Sequence, residues 1–187
     1  MFSSRLWNLF IDSFPKMFIR GLTVTIPLTA IAFSLAMVIA VIVALVQFAN
    51  IKVLKQICRF YIWIFRGTPL LVQLFIVFFG LMNVGLVLEP FLAAVIVFAL
   101  NEGAYGAETV RASLESVPSG QLEAGQCAGL SYLQTIFRIV LPQAMRTAFP
   151  SLFNALISML KDTSLAATIT VTEMFKVSQQ IVARTYE

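Results

Sequence analysis

Long stretches without a charged residue dominate the chain. Residues 21–51 and 67–88 carry no Asp, Glu, Lys or Arg, and residues 90–110 and 139–160 carry only a few. An α-helix needs about 20 predominantly apolar residues to cross the hydrocarbon core of a bilayer. The pattern therefore predicts four membrane-spanning helices, at about 17–50, 57–88, 90–112 and 139–160.

The composition supports this interpretation. The chain has 187 residues, of which 59% are hydrophobic and 12% charged, whereas soluble domains are about a quarter charged. So short a chain cannot bury that much apolar surface in one water-surrounded core. We predict an all-α, polytopic transmembrane helical bundle that forms one domain over residues 1–187.

Basic residues orient the predicted spans. Lys52, Lys55, Arg59 and Arg66 lie between the charge-free stretches 21–51 and 67–88, whereas the connection between the second and third spans contains no Lys or Arg. Positive charge is enriched in cytoplasmic connections of membrane proteins. We therefore expect the first connection inside and the second outside.

The sequence holds no recognisable catalytic or metal-binding apparatus. It contains no histidine, which removes the commonest general base and the commonest metal ligand. Cys58 and Cys127 are far apart, and neither has a second Cys at metal-ligand spacing. We expect no metal, no cofactor and no catalytic residue, and a net charge of +4 is too small to indicate nucleic-acid binding.

The connection between the third and fourth spans, residues 113–138, is long enough to have its own structure. The Pro-Ser-Gly run at 118–120 should end the third helix, and Gly129 should end a short new helix in a left-handed cap. Ser131 and Gln134 match a capping box at the start of the next helix. This helix–turn–helix is either an amphipathic hairpin on lipid headgroups or a docking element for a cytoplasmic partner.

This connection contains a short motif with a defined spacing, which runs from Glu123-Ala124-Gly125 over three residues to Gly129, then over nine residues to Ile139 and one more to Leu141-Pro142. The spacing resembles the EAA loop of ATP-binding-cassette (ABC) importer permeases, and the one departure is Gly125, where the family usually has alanine. The resemblance implies that the loop couples the chain to an ATPase through Glu123, Ala124, Gly125, Gly129, Ile139, Leu141 and Pro142. Of these, Glu123, Ala124 and Gly129 would be the docking positions, and Leu141-Pro142 would mark where the chain re-enters the membrane.

Other stretches resemble the polar amino acid branch of these permeases. They are Phe65-Arg66-Gly67-Thr68-Pro69-Leu70, Asn101-Glu102-Gly103-Ala104-Tyr105 with Glu108, and Lys161-Asp162-Thr163-Ser164-Leu165. The resemblance implies a type I ABC importer fold in the bacterial plasma (inner) membrane, with a fifth span after the position where the sequence ends. It also implies a polar L-amino acid substrate, of which cystine is one candidate.

The resemblance further implies partners. Two ABC ATPase subunits, a second permease chain and an extracytoplasmic solute-binding protein would complete the importer. The second permease chain could be identical or different. The chain has no GxxxxGK[ST] phosphate loop, so ATP would be hydrolysed by a partner and the chain would be no enzyme itself.

Charged and polar residues inside the spans are candidates for the substrate path. Glu102 lies about midway along the third span, where an unpaired carboxylate is costly. It could attract the ammonium group of an amino acid, or it could form a structural bond to another helix, for example to Arg146. The remaining candidates are Tyr105 on the same helix face, and Lys161, Asp162, Thr163 and Ser164 at the end of the fourth span. This polar run is either an ordinary helix terminus, or a gate or contact for the substrate carboxylate.

A second group of charges near the inner end of the third span is interpreted as structural. Glu108 and Arg111 are three residues apart, and Arg111 and Glu115 are four apart, so each pair shares a helix face. We predict that the three residues form ion pairs with one another.

Two other functions compete with the importer permease. A small proton-coupled secondary transporter could use Glu102 as its proton site, but it has no need of the long loop at 113–138. A membrane-embedded enzyme, or an accessory subunit of one, would require catalytic groups that the sequence does not supply.

Overall fold

The computed structural model describes residues 4–49 and 51–185, and every regular element in this part of the chain is helical. Three π-helical turns and one 3₁₀ segment lie between the α-helices: Gly21–Thr25, Ile76–Gly80, Ile136–Val140 and Thr163–Ile169. The α-helices are α1 (Ser4–Arg20), α2 (Ile26–Phe48), α3 (Lys52–Gly67), α4 (Leu70–Phe75), α5 (Leu81–Asn83), α6 (Pro90–Glu115), α7 (Gly120–Cys127), α8 (Tyr132–Thr135), α9 (Leu141–Asp162) and α10 (Met174–Thr185).

Helices α1 and α2 form one continuous helical run joined by the π turn Gly21–Thr25. The run begins at Ser4, well before the predicted start at residue 17, and the predicted end at residue 50 lies outside the described residues. The π turn is followed by Ile26 and then Pro27. Because proline has no N–H and its ring crowds the carbonyl four residues earlier, a wider turn accommodates it within a helix.

The same arrangement recurs between α8 and α9. The π turn Ile136–Val140 is followed by Leu141 and then Pro142, so each of these prolines stands two residues after its π turn. Helix α8, the turn and α9 consequently form one helical run that ends at Asp162.

The second predicted span is not a single straight helix. Helix α3 ends at Gly67, and the axes of Lys52–Gly67 and Leu70–Asn83 differ by 103°. Thr68 has an extended backbone, with φ −121° and ψ 142°. The following residue, Pro69, disfavours the helical conformation at Thr68 and thereby ends α3.

Hydropathy separates the helices into two groups. Two described runs, Leu6–Phe48 and Pro90–Glu115, are long and apolar enough to cross a membrane, and the bent pair Lys52–Gly67 with Leu70–Asn83 adds a third if it counts as one span. The fourth predicted span, which corresponds to α9, is not among them. Its 22 residues include Arg146 and several uncharged polar residues. The all-α bundle is confirmed, but among the described residues only two or three of the four predicted spans are long and apolar enough to cross a membrane.

The chain divides into two compact units. The first comprises the described parts of Met1–Phe33, Leu70–Phe98 and Ser158–Glu187, and the second comprises Ser34–Pro69 and Ala99–Ile157. Each unit is described by itself below.

In the second unit, α2 and α6 approach closely through small residues. Ala40, Ala104 and Ala107 are fully buried in one core cluster with Ile62 of α3. A Cβ atom at Gly106 would lie 3.0 Å from the Cβ of Ala40. Small residues let helix backbones pack tightly where lipid supplies no hydrophobic drive for association.

In the first unit, the π turn after α1 lies against the beginning of α10. The Thr25 hydroxyl accepts a hydrogen bond from the Met174 N–H at 3.3 Å. A Cβ atom at Gly21 would lie 3.3 Å from the Met174 sulfur, so glycine permits this approach. The contacts fix the start of α10 on the first helical run.

Candidate functional site

The predicted coupling loop lies in the second unit, and its first helix, α7, ends in a defined cap. Gly129 has φ +75°, in the left-handed region that favours glycine. The Leu130 N–H donates to the Gly125 carbonyl at 3.0 Å, and the Gly129 N–H donates to the Gln126 carbonyl at 2.9 Å. This pair of bonds is a Schellman motif, which satisfies carbonyls at the helix end. The predicted cap at Gly129 is confirmed.

The next helix begins at the predicted capping box. The Gln134 N–H donates to the Ser131 hydroxyl at 3.3 Å, and the Ser131 N–H donates to the Gln134 side-chain oxygen at 2.9 Å. Only one residue, Leu130, separates the glycine cap from this box. The connection between the two helices is therefore short and has its backbone hydrogen bonds largely satisfied.

One face of α7 packs on the unit and the other is exposed. Leu122 contacts the core cluster that includes Val110, Ile136 and Val140, whereas Glu123 and Ala124 are exposed. The loop thus holds two of the predicted docking residues on its outer surface while its inner face is anchored to α6 and to the helical run that contains α9.

Gly125 is buried between α7 and α8. A Cβ atom there would lie 2.4 Å from Cγ2 and 2.5 Å from Oγ1 of Thr135, which is itself 1% exposed. Real Cβ atoms do not approach so closely, so this packing requires glycine. Position 125, where the family usually has alanine, therefore holds glycine in this chain and packs against the β-branched Thr135.

The remaining predicted coupling residues lie where the loop continues into α9. Ile139 and Leu141 are half-buried, with Leu141 packed on the same core cluster, and Pro142 is exposed. The Gln143 amide donates to the Ile139 carbonyl at 3.0 Å and to the Gln121 side chain at 3.2 Å. The second bond ties the start of α7 to the start of α9.

The predicted ion pairs on α6 are confirmed. Arg111 donates to both carboxylate oxygens of Glu108, at 3.2 and 3.0 Å, and to Glu115 at 2.7 Å. Arg66 of α3 joins the network at 3.8 Å from Glu108, and its guanidinium lies 5.1 Å from the ring centre of Tyr105. Sequence spacing could not indicate the contribution of Arg66, because it comes from another helix.

Two candidates for the substrate path belong to the second unit. Glu102 is half-buried on α6 and Tyr105 is 43% exposed one helical turn later. Close by, the Asn101 amide donates to the Phe65 carbonyl at 3.2 Å and the Tyr61 hydroxyl donates to the Leu100 carbonyl at 2.6 Å. Helix α3 is thereby fixed to the part of α6 that carries Glu102.

The other four candidates belong to the first unit. Lys161, Thr163 and Ser164 line a cleft of about 420 Å³ that is also lined by Gly21 and Glu173, whereas Asp162 is not part of its lining. Thr163 is buried and its hydroxyl donates to the Leu160 carbonyl at 2.6 Å. The polar run at the end of α9 thus surrounds a defined space together with residues from the start of α10.

Glu173 is a buried carboxylate that the sequence reasoning missed. It is 1% exposed and accepts hydrogen bonds from the backbone N–H groups of Phe175 and Lys176, at 2.7 and 2.6 Å. The carboxylate therefore caps the N-terminus of α10. An acidic residue directly before an amphipathic run is a helix-start signal that could have identified it.

The described residues provide no evident site for a metal. Within 4–49 and 51–185, no three His, Cys, Asp or Glu side chains are grouped as ligands. The chemistry that the arrangement offers is that of charged and hydrogen-bonding side chains along helices, joined to a capped loop with an exposed carboxylate.

Apolar helical runs, a bent helix pair and a capped loop between helices define the class as a polytopic helical membrane protein. The family model described as "binding-protein-dependent transport system inner membrane component" matches residues 36–186, and the chain belongs to this family.

Among its relatives is the L-cystine transport system permease protein TcyB of Bacillus subtilis, 46% identical over 95% of this chain and 76% of that protein. The nopaline transport system permease protein NocM of Agrobacterium fabrum is 37% identical over 96% of this chain and 78% of its own length. The crystal structure of an amino acid ABC transporter with histidines matches all of this chain and 86% of that one, with a TM-score of 0.86 and 33% identity.

Proposed function

We propose that this chain is the permease subunit of an ABC importer for polar L-amino acids, coupled to a separate ATPase through the loop at 113–138. The observation that carries the proposal is the exposure of Glu123 and Ala124 on a helix whose opposite face packs on the membrane helices. A partner that grips α7 can thereby move α6 and α9. The names of the relatives, which include permeases for cystine and nopaline, support an amino acid substrate.

The proposed assembly contains two ATPase subunits, a second permease chain and an extracytoplasmic solute-binding protein, in the bacterial plasma membrane. ATP would be hydrolysed by the partner subunits, because this chain has no phosphate loop. The family description supports the binding protein and the inner membrane, since it names both a binding-protein-dependent system and an inner membrane component. Cystine or a related polar amino acid is the proposed substrate class, because TcyB is the relative with 46% identity.

Co-purification tests the proposal. The tagged chain, extracted from native membranes in a mild detergent, is expected to retain an ABC ATPase, and proteoliposomes of this complex should accumulate amino acid only when ATP and the solute-binding protein are supplied. Uptake driven by a proton gradient without ATP would contradict the proposal and favour a secondary transporter that uses Glu102.

Glu102→Gln tests the proposed role in the substrate path. If the carboxylate attracts the substrate ammonium group, loss of its charge should raise the KM for transport by about tenfold, the equivalent of about 1.4 kcal/mol. Glu89→Gln is the matched control. Glu89 accepts a hydrogen bond from the Leu92 N–H at the start of α6, an acceptor role that glutamine can retain. An unchanged KM in the Glu102 variant would leave Glu102 a structural role only.

A further inference from the structure

A charged cleft in the second unit is not used by the proposed transport mechanism. It has a volume of about 410 Å³ and lies between one face of α3, from Lys55 to Arg66, and the last turns of α6. Its lining includes four basic side chains and two carboxylates, a formal excess of two positive charges: Lys55, Arg59, Arg66, Arg111, Glu108 and Glu115. Both carboxylates already bind Arg111. The lining as a whole therefore favours an anion.

A buried amide supplies an independent indication of a ligand. Gln47 of α2 is 6% exposed and lines the same cleft, but its Nε2 makes no hydrogen bond with any described residue. The amide lies beside the Glu108 carboxylate, but Nε2 and the carboxylate oxygens do not reach the distance and angle of a hydrogen bond. An unsatisfied buried donor is costly, and a change of side-chain rotamer would turn Nε2 toward an anion in the cleft.

The cleft continues into an apolar groove on α3. Arg59 and Trp63 line both spaces, and the groove is otherwise bounded mainly by exposed apolar side chains. Val53, Phe60 and Trp63 are 72%, 61% and 71% exposed. A basic cleft beside an apolar groove matches a molecule with an anionic head and an acyl chain, and a soluble anion would leave the groove empty.

We propose that this cleft and groove bind an anionic phospholipid of the cytoplasmic leaflet, with the phosphate in the cleft and an acyl chain along the groove. Basic clefts between membrane helices on the cytoplasmic side attract lipid phosphates, each nearby Lys or Arg adding about fivefold in affinity. The positive-inside distribution of the connection at Lys52–Arg66 places the start of α3 on that side.

Quenching of Trp63 measures this binding directly. The chain has two tryptophans, so Trp7→Phe leaves Trp63 alone. The full-length Trp7→Phe chain in nanodiscs is titrated with brominated phosphatidylglycerol or with brominated phosphatidylcholine at equal mole fractions. The association constant should be higher for phosphatidylglycerol by about fivefold or more.

Three further variants in the same background separate the contributions. Arg59→Gln should lower the preference for phosphatidylglycerol by about fivefold, the contribution of one basic residue. Gln47→Leu should lower the preference by at least about twofold without lowering thermal stability, because it removes a donor that the protein leaves unsatisfied. Arg138→Gln, at an exposed basic residue of the same unit outside the cleft, should retain the full preference.

Several outcomes would overturn the proposal. Equal quenching by both lipids would show that only apolar contact occurs, and absence of quenching would show that protein covers Trp63. An equal effect of Arg138→Gln and Arg59→Gln would show general surface attraction. Loss of the preference in inorganic phosphate, at an ionic strength matched with sodium chloride, would assign the cleft to a soluble anion.

Discussion

Glu123→Lys is expected to reduce ATP-dependent uptake by about 100-fold while leaving the chain folded and inserted. Reversal of a charge at the centre of a docking surface costs about 3 kcal/mol of binding free energy, the equivalent of about 100-fold. Glu123 is exposed on α7, and the helix cap and the core contacts of its neighbours do not involve its side chain. Because Glu123 lies in the first turn of α7, lysine there should lose a helix-dipole interaction of about 0.3–1 kcal/mol, so expression should match the unmodified chain and thermal stability should fall only slightly.

The measurement compares uptake with the amount of ATPase that remains bound after purification. Asp12→Lys is the matched control, because it makes the same charge change at an exposed carboxylate on α1, whose partner Lys16 is also exposed. Both uptake and ATPase retention should fall together for Glu123→Lys and stay unchanged for Asp12→Lys. Full uptake by the Glu123 variant would exclude this residue from the docking surface.

Gly125→Ala is expected to destabilise the chain, although alanine is the residue that the family usually has there. Its methyl group would lie 2.4 Å from Thr135 Cγ2, and Thr135 is enclosed. Overpacking of this kind costs about 1–3 kcal/mol. The strain would separate α7 from α8, so uptake should fall together with thermal stability.

A double-mutant cycle tests the cause. Thr135→Ala removes both atoms that clash, so the variant with both substitutions should recover at least about 1 kcal/mol of stability relative to Gly125→Ala. Thermal unfolding of the detergent-solubilised chain measures the effect. Gly120→Ala is the control, because no side chain or distant backbone lies within 4 Å of the added methyl group. If Thr135→Ala does not restore stability to the Gly125→Ala chain, the loss of stability does not come from contact with Thr135.

The loop could be predicted from sequence because its signals are local. Gly129 and the pair Ser131–Gln134 each act over a few residues, and the structure has both caps where they were expected. The ion pairs of Arg111 with Glu108 and Glu115 were likewise predictable, since one helix face determines them. The caps and the ion pairs each depend on residues within a few positions of one another, so the surrounding fold does not change them.

Features that depend on packing between distant segments could not be predicted. Nothing within the sequence near Arg66 indicates Glu108 as its partner, and nothing near Gly125 indicates Thr135. The break after α3 had local signals in Thr68-Pro69 and in the charges Arg59 and Arg66 that precede the charge-free residues 67–88. The second span was predicted at 57–88 and therefore ran across this break.

The candidate substrate path was predicted only as residues, without their surroundings. Glu102 and Tyr105 lie in one compact unit, and the cleft beside Lys161, Thr163 and Ser164 lies in the other. Sequence reasoning also missed Glu173 at that cleft, because its cap on α10 was not considered. Their roles in transport remain predictions, and Glu102→Gln tests the first of them.

The two π turns that precede Pro27 and Pro142 have a consequence for comparing related chains. A π turn holds one residue more than an α-helical turn, and the extra residue bulges so that the flanking helices keep their facing sides. A chain that is one residue shorter at 21–25 or 136–140 and also lacks the following proline can therefore retain the same buried faces as a regular α-helix. Loss of one residue should be tolerated at these two places once that proline is replaced, whereas elsewhere in the same helices an insertion or deletion would turn apolar faces by about 100°.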